Sequence, residues 1–347
     1  MNRIKVAVID SGVNLNDTVL HKRNIEAIKI ENRICQSWET DSNGHGTDVV
    51  KIISGQTEAA AILSIQILNH CNKGSIDDLC EAIQYCVGKG VDLINLSLGM
   101  NMKCAEQIKK LKECCDFAVE SGIVLISSNH NHDHSELDSY PFAFSNIIGV
   151  QCSAGLGTTI KVDREQNNIV FNGSIVSVPD NERVILRKGN SFITPMVTGL
   201  WCEYRKEQAG DFFSYLEQIQ EISTKIFFNK NDEQSYEQFS SKKVGYFYLK
   251  KSSNDMNVIN QIKRYATVLP LSMNEKIDFF EICKLDFLFF GEISKGEYNN
   301  CLVNVLDLTE TAAAHGVNIV MMVPFMSISQ RLRVLHKYNV SFQSIYF

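Results

Sequence analysis

Short apolar runs alternate with amphipathic stretches along the first two hundred residues of the chain. The runs are rich in Val, Ile and Leu and are too short for helices, which is typical of the buried strands of a parallel sheet. Strands are predicted at residues 4–9, 61–68, 91–96, 123–127 and 146–152, and helices at 75–87, 104–120 and 191–208. This alternation predicts an α/β fold with a doubly wound, mostly parallel sheet covered on both faces.

The pattern changes beyond a further helical segment over residues 212–227. Residues 229–257 are polar, with the Asn-Asp-Glu-Gln and Ser-Ser-Lys-Lys clusters that are typical of a linker. We therefore predict a main domain over 1–228, a linker over 229–257 and a small C-terminal α/β domain of unknown role over 258–347. That small domain has predicted strands at 287–290, 317–323 and 340–347 and predicted helices at 299–315 and 327–338.

Charge and composition exclude several classes of partner. The chain carries 34 basic and 40 acidic side chains, a net charge of −6, without a long run of either sign. This balance argues against nucleic acid and anionic membranes as partners, and no apolar run is long enough to span a bilayer. The eleven cysteines include no CxxC pair, and no export signal precedes the first strand. We therefore expect reduced thiols and a cytoplasmic protein.

Three polar residues stand at the ends of predicted elements in the order aspartate, histidine, serine. Asp10 follows the first strand, His45 lies between two glycines, and Ser191 opens an apolar helix where free backbone N–H groups collect. Each has a structural alternative, namely a turn aspartate, a histidine in a glycine-rich turn and a helix N-cap serine. Together they are the residue types that nucleophilic catalysis needs, because a serine hydroxyl attacks efficiently only when a neighbouring base takes its proton.

A histidine-rich segment follows the fourth predicted strand. His130, His132 and His134, together with Asp133, have side chains that bind zinc in many proteins. Their alternating spacing on one loop, without a second cluster that completes a tetrahedral set, favours a solvated polar loop. We therefore predict no metal site there.

The three motifs resemble those of the subtilisin-like serine peptidases, or subtilases, which carry their catalytic residues in this order. The matching segments are Val8-Ile9-Asp10-Ser11-Gly12, Asn43-Gly44-His45-Gly46-Thr47 and Gly189-Asn190-Ser191-Phe192-Ile193-Thr194-Pro195. The resemblance implies that Ser191 is the nucleophile, that His45 is its base, and that Asp10 holds the imidazole in the required tautomer.

The resemblance also covers the segments between the motifs and extends over about residues 1–205. The strand that ends at Ser97, Leu98 and Gly99 looks like the family's substrate-binding strand, so these three residues are expected to contact an extended peptide. Residues 122–131 look like the segment that carries the asparagine of the oxyanion hole. Asn131 is the expected donor, because its distance from Gly122 matches the family's, and Asn129 is the alternative.

Two features depart from the family pattern. Asp48 stands where the family usually carries a second histidine, and an acidic group one turn from His45 is expected to affect the pKa of the imidazole. Asn190, Phe192 and Ile193 replace residues that are commonly threonine, methionine and alanine, so the packing behind the nucleophile is expected to be bulkier.

The resemblance implies a serine endopeptidase that hydrolyses a peptide or protein through an acyl-enzyme, and the lack of an export signal favours an intracellular enzyme. The lack of an export signal and of a prodomain favours restricted substrates, such as a peptide precursor. One alternative is a binding or regulatory protein on a subtilase scaffold with an idle triad; another is hydrolysis of small esters or amides at the same site. Calcium is possible, since many subtilases bind it, but the sequence identifies no ligand set, and the oligomeric state is unknown.

Overall fold

The structure is a computed structural model, which divides into two compact units. It describes residues 3–131, 138–153, 160–172, 175–180, 183–207, 210–224, 233–248, 250, 252–272, 278–291, 298–321, 338, 340 and 342–344. The main unit comprises Met1–Asn181 and Ile185–Glu217, and the accessory unit comprises Glu182–Val184 and Gln218–Phe347. In the described part of the chain, no helix has the length and apolarity needed to cross a membrane.

The main unit is built on one large sheet. Its strands are β1 (Ile4–Asp10), β2 (Ile25–Glu31), β3 (Ile34–Ser37), β4 (Ala60–Gln66), β5 (Leu93–Leu96), β6 (Met100–Asn101), β7 (Val124–Ser128), β8 (Ser139–Tyr140), β9 (Ile148–Ser153), β10 (Ile160–Asp163), β11 (Asn168–Asn172), β12 (Ile175–Asp180) and β13 (Arg183–Lys188), the last belonging to this unit from Ile185 onward. The large sheet has the order β10-β11-β9-β7-β5-β1-β4-β2-β3, while β6–β8 and β12–β13 form small separate sheets. Its inner pairs are parallel, and only the edge pairs β2–β3 and β10–β11 are antiparallel.

Helices cover this sheet because its central strands are apolar on both faces. They are α1 (His45–Gln56), α2 (Ile76–Lys89), α3 (Ala105–Glu120) and α4 (Asn190–Glu207). The next helix in the chain is α5 (Phe212–Thr224), which belongs to the main unit up to Glu217. In β1, Ala7 and Ile9 share a buried cluster with α2 and α3, and Val6 and Val8 on the alternate face are also fully buried. The predicted doubly wound α/β fold is confirmed.

The sequence pattern missed several strands, among them β2, β3 and β13. β2 and β3 lie in the passage before His45 that reads as polar, and the exposed β3 pairs with β2 alone. β13 comes directly after β12 in the chain and pairs with β12 alone. The N-terminus of α2 is capped, since the Ser75 hydroxyl accepts a hydrogen bond from the Asp78 N–H.

The accessory unit contains a second, fully parallel sheet. Its elements are α6 (Gln234–Glu237), β14 (Lys243–Tyr248), α7 (Ser253–Ile262), β15 (Thr267–Ser272), α8 (Phe279–Ile282), β16 (Phe287–Phe290), α9 (Tyr298–Ala314), β17 (Asn318–Met321) and β18 (Phe342–Ser344). The strand order is β15-β14-β16-β17-β18, so the chain winds outward from β14 in both directions. The predicted helix over 327–338 falls almost entirely outside the described residues.

The structure corrects the predicted linker over residues 229–257. This stretch contains β14, which pairs with both β15 and β16 and therefore lies inside the sheet. The Tyr246 ring stacks on Phe289 with centroids 4.9 Å apart, and the Phe247 ring meets Phe290 edge to face at 5.4 Å. The polar clusters that precede β14, and the polar residues 250–255 that follow it, concealed this six-residue strand.

We expect Phe247→Ala to destabilise the accessory unit by about 3–5 kcal/mol, because Phe247 is fully buried in the sheet interior. The exposed side chain of Lys243 lies on the same strand, so Lys243→Ala is the matched control and should change stability by less than about 0.5 kcal/mol. Amide hydrogen exchange in β16 and β17 as a function of urea reports the free energy of unfolding of this unit. Equal effects of the two substitutions would contradict the assignment of β14 to the core.

Candidate active site

The carboxylate of Asp10 and the imidazole of His45 lie at the centre of the site. Asp10 ends β1 and is completely buried. Its Oδ1 accepts a hydrogen bond from His45 Nδ1 at 2.8 Å and another from the Ser11 N–H at 2.7 Å. A carboxylate can only accept, so Nδ1 of the neutral imidazole carries the proton and Nε2 keeps its lone pair. Asp10 therefore selects the tautomer in which Nε2 is the basic atom.

Asp41 organises the loop before His45, and the sequence analysis did not identify it. Its two oxygens accept five hydrogen bonds, from the Ser11 hydroxyl, the Asn43 and Gly44 N–H groups, and the N–H and hydroxyl of Thr47. The Ser11 hydroxyl in turn accepts from the Gly46 N–H at 2.9 Å. These bonds join the turn after Asp10 to the first turn of α1. The Asp-Ser-Asn-Gly run at 41–44 is typical of a side-chain-capped turn and was the available signal.

The surroundings of His45 favour its protonated form. Burial lowers the pKa of the imidazole, but the charge and hydrogen bond of Asp10, together with the charges of Asp41 and Asp48, outweigh burial and raise the pKa above 6.5. The Phe192 ring packs on one side of the imidazole, with centroids 4.9 Å apart and planes tilted by 51°. An imidazolium formed during a reaction is therefore stabilised in place.

Asp48 lies one turn further along α1 and forms an ion pair with Arg187 of β13. The Nε atom of Arg187 donates to Asp48 Oδ2 at 2.6 Å, and only 9% of the Asp48 side chain is exposed. Burial raises the pKa of the Asp48 carboxyl above its usual range, although the hydrogen bond and charge of Arg187 oppose the rise. Since β13 leads into the turn of Ser191, this ion pair connects the helix of His45 to the segment that carries the serine.

Ser191 lies in the first turn of α4, and its turn is held by Asn190. Asn190 Oδ1 accepts from the N–H of Cys152 at 2.8 Å and from its thiol at 2.9 Å, and its Nδ2 donates to the His130 carbonyl at 2.8 Å. The family's usual threonine at this position is too short to make all three contacts. Ser191 itself is 9% exposed and lines a cavity.

Asn131 contacts the same turn through its side chain. Its Oδ1 accepts from the Asn190 N–H at 2.8 Å, which identifies the oxygen end of the amide, because a backbone N–H can only donate. Its Nδ2 group is then the end available to donate. Gly189 adopts φ +130°, and a Cβ there would lie 2.8 Å from Asn131 Oδ1, so the turn requires glycine.

Asn129, the alternative donor, is engaged elsewhere. Its Nδ2 donates to Gln151 Oε1 at 2.9 Å, and its Oδ1 accepts from the His130 N–H at 2.8 Å. Both ends of this amide therefore bind neighbouring protein groups, which favours Asn131 as the donor to a bound molecule.

One cavity of about 550 Å³ brings the predicted residues together. Its lining includes His45, Ser191, Asn129, Asn131, Ser97, Leu98 and Gly99. The wall at Ser97 is fixed from behind, because Asn95 Nδ2 donates to the Ser97 hydroxyl at 2.9 Å and the Thr198 hydroxyl of α4 donates to Asn95 Oδ1 at 2.8 Å. A Cβ at Gly99 would lie 2.7 Å from the Ser139 hydroxyl, so this wall also requires glycine.

Most of the histidine-rich segment lies outside the described residues, namely His132, Asp133 and His134, whereas His130 lines the cavity. Among the side chains that the structure does describe, no group of three His, Cys, Asp or Glu residues is placed to hold a metal ion.

The known proteins with similar sequences include two proteases of Bacillus subtilis. The Minor extracellular protease Epr of Bacillus subtilis is 25% identical over 211 residues, which are 57% of this chain and 31% of that protein. The Major intracellular serine protease of the same organism is 26% identical over 215 residues, which are 56% of this chain and 66% of that protein. The chain thus spans less than two thirds of the length of each of these relatives.

Two solved structures share the fold. One is a cold adapted subtilisin-like serine proteinase (TM-score 0.50, 18% identity, 64% of this chain and 82% of that chain). The other is the prenylagaramide maturation protease PagA (TM-score 0.51, 19% identity, 77% of this chain and 95% of that chain). The model of the subtilase family matches residues 1–222, well over half of the chain. This protein therefore belongs to the subtilase family.

Proposed function

We propose that this protein is a serine endopeptidase in which Ser191 is the nucleophile, His45 the general base and Asp10 the group that orients His45. The observation that carries the proposal is the hydrogen bond from His45 Nδ1 to the buried Asp10 carboxylate, in an imidazole that lines the same cavity as Ser191. Family membership supports the assignment of this chemistry.

In the proposed reaction, His45 Nε2 accepts the proton of the Ser191 hydroxyl as Oγ bonds to the carbonyl carbon of the peptide. The tetrahedral intermediate then loses its amine, which receives the same proton from His45 as the C–N bond breaks. His45 next takes a proton from a water molecule whose oxygen attacks the acyl carbon. His45 then returns this proton to Ser191 Oγ as the bond between Oγ and the acyl carbon breaks and the acid leaves. Asp10 stays ionised throughout and stabilises the imidazolium.

The oxyanion of this intermediate requires hydrogen-bond donors aimed at one point. We assign these to the Asn131 Nδ2 group and the Ser191 N–H at the start of α4, where the helix dipole adds a favourable field. The bond from the Asn190 N–H to Asn131 Oδ1 supports this assignment, because it turns the donor end of the amide away from Asn190.

The substrate is proposed to be an extended peptide that lies along Ser97, Leu98 and Gly99 in the cavity.

We further propose an intracellular enzyme with restricted substrates, such as a peptide precursor. None of the ten cysteines whose side chains the structure describes forms a disulfide, and burial raises the pKa of the Cys86, Cys115 and Cys202 thiols, which keeps them unreactive. These features suit a reducing compartment.

A fluorophosphonate probe tests the proposed nucleophile and base. We expect the full-length protein to be labelled at Ser191, and labelling to be abolished in Ser191→Ala and reduced at least 10³-fold in rate in His45→Ala, since an unassisted serine hydroxyl reacts slowly. Intact mass and peptide mapping identify the modified residue. The exposed Lys22 provides a control, because Lys22→Glu lies outside the cavity lining and should leave labelling unchanged.

A folded protein that resists the probe, or that is labelled equally well in His45→Ala, would contradict the proposal. The first result would favour the alternative of a binding protein with an idle triad. Hydrolysis of small esters without cleavage of any peptide would instead limit the activity to small substrates.

The two asparagines are distinguished by substitution. We expect Asn131→Ala to lower kcat about 10²–10³-fold with a smaller change in KM, which is the loss measured for one oxyanion donor in subtilisin. Asn129→Ala should lower kcat far less, because the Asn129 amide binds Gln151 and His130. Steady-state kinetics on a peptide ester supply both parameters. The reverse ranking would assign the oxyanion hole to Asn129.

The pH profile tests the electrostatics around His45. His45 is active as a base when it is neutral, so kcat/KM should fall as pH drops through the raised pKa of His45. Asp48→Asn removes a negative charge that favours the imidazolium, so the acid limb of the profile should move to lower pH. Glu113→Gln, an equal change of charge at an exposed site on α3, is the control and should leave the limb in place. A shift to higher pH in Asp48→Asn would contradict the proposed electrostatics.

A further inference from the structure

We infer that the substrate of this protein carries a carboxylate close to its scissile bond and that Lys73 binds it. This inference rests on the proposed peptidase function and adds the chemical class of the substrate. Lys73 precedes α2 in the chain, lines the same cavity as Ser191, and was not among the residues singled out from the sequence.

The loop that carries Lys73 is fixed in position. Asn69 Oδ1 accepts hydrogen bonds from the N–H groups of Cys71 and Lys73, and the Lys73 carbonyl accepts from the Asn69 N–H at 3.0 Å. Asn43 Nδ2 donates to both the Asn69 carbonyl and Asn72 Oδ1. Since Asn43 also accepts from the His45 N–H, the Lys73 loop is tied to the start of the helix that carries His45. The backbone of Lys73 is thus held in position relative to the helix that carries His45.

The described residues that line this cavity carry few charges. The chain has a net charge of −6, yet none of the described lining residues is an aspartate or a glutamate. The titratable groups of the lining are His45, His130 and Lys73, all of which are neutral or positive. Lys73 therefore offers a positive charge to a bound peptide, while the negative charges of Asp10, Asp41 and Asp48 act on His45.

Two acidic residues, Asp78 and Glu31, line a neighbouring cavity together with Lys73, and both bind other groups. The carboxylate of Asp78 accepts from the Ser75 hydroxyl at 2.7 Å and from the Arg33 N–H at 3.0 Å, and Glu31 pairs with Lys29 at 2.9 Å. Among the described residues, no carboxylate lies within ion-pair distance of the Lys73 ammonium. Its charge is available to a substrate.

The expected consequence is a preference for an acidic residue at one substrate position. The Lys73 side chain is exposed, so the ion pair should raise kcat/KM for glutamate over glutamine by only about two- to fivefold. Because salt screens an exposed pair, the preference should shrink as ionic strength rises.

Cleavage profiling of the full-length protein tests this inference. The probe is a proteome-derived peptide library, digested by wild type, Lys73→Glu and the control Lys22→Glu at equal concentrations of fluorophosphonate-titrated sites, with mass spectrometry of the products. We expect glutamate and aspartate to be enriched at one position near the cleaved bond for wild type and for Lys22→Glu. Lys73→Glu should reverse this preference to lysine and arginine.

A second arm distinguishes the two sources of a carboxylate. Matched peptides with a glutamate or glutamine at the enriched position are compared with a free or an amidated C-terminus. A side-chain carboxylate predicts that amidation has no effect, whereas recognition of the chain terminus predicts that amidation removes the effect of Lys73→Glu.

The outcomes separate the two proposals. Cleavage that depends on Ser191 but shows the same preference in wild type and Lys73→Glu would overturn the role of Lys73 and leave the peptidase proposal intact. No Ser191-dependent cleavage of any peptide would overturn both.

Discussion

The hydrogen bond between His45 and Asp10 is the interaction on which the site depends. Burying a carboxylate costs free energy unless the carboxylate is hydrogen bonded. Asp10 Oδ1 accepts two hydrogen bonds, one from the His45 imidazole and one from the Ser11 N–H. One bond thereby fixes the tautomer of the imidazole, opposes the effect of burial on its pKa and orients the ring. The parallel sheet permits this arrangement, because the carboxyl end of β1 lies at the same edge of the sheet as the carboxyl ends of its neighbours β4 and β5 and the loops that follow them.

Polar contacts between segments that are far apart in the chain hold the other groups of the site in position relative to Asp10 and His45. Asp41 joins the turn after β1 to α1, Asn190 joins the serine turn to β9 and to the Asn131 loop, and Arg187 joins β13 to α1. Two of these three connections use residues that depart from the family pattern. Asn190 makes contacts that a threonine cannot, and Asp48 replaces a histidine with the partner of an arginine. These two departures, Asn190 and Asp48, therefore each connect two segments of the site.

The sequence predicted the main sheet and the residues of the site because their signals are local. Apolar runs mark strands, and a polar residue between glycines or at a helix start marks a turn that exposes its side chain. Contacts across long separations leave no local pattern. Asp41 and Ser11 are 30 residues apart, and Asp48 and Arg187 are 139 residues apart. β14 was missed for a related reason, since its partners β15 and β16 come later in the chain and its flanks are polar.

The state of the His45 imidazole tests the central claim most directly. Nitrogen-15 NMR of histidine-labelled protein reports which ring nitrogen carries the proton and the pH at which the ring titrates. We predict a proton on Nδ1 and none on Nε2 in the neutral form, a pKa above 6.5, and loss of this tautomer preference in Asp10→Ala. A neutral ring protonated on Nε2, or a titration unaffected by the loss of Asp10, would contradict the account.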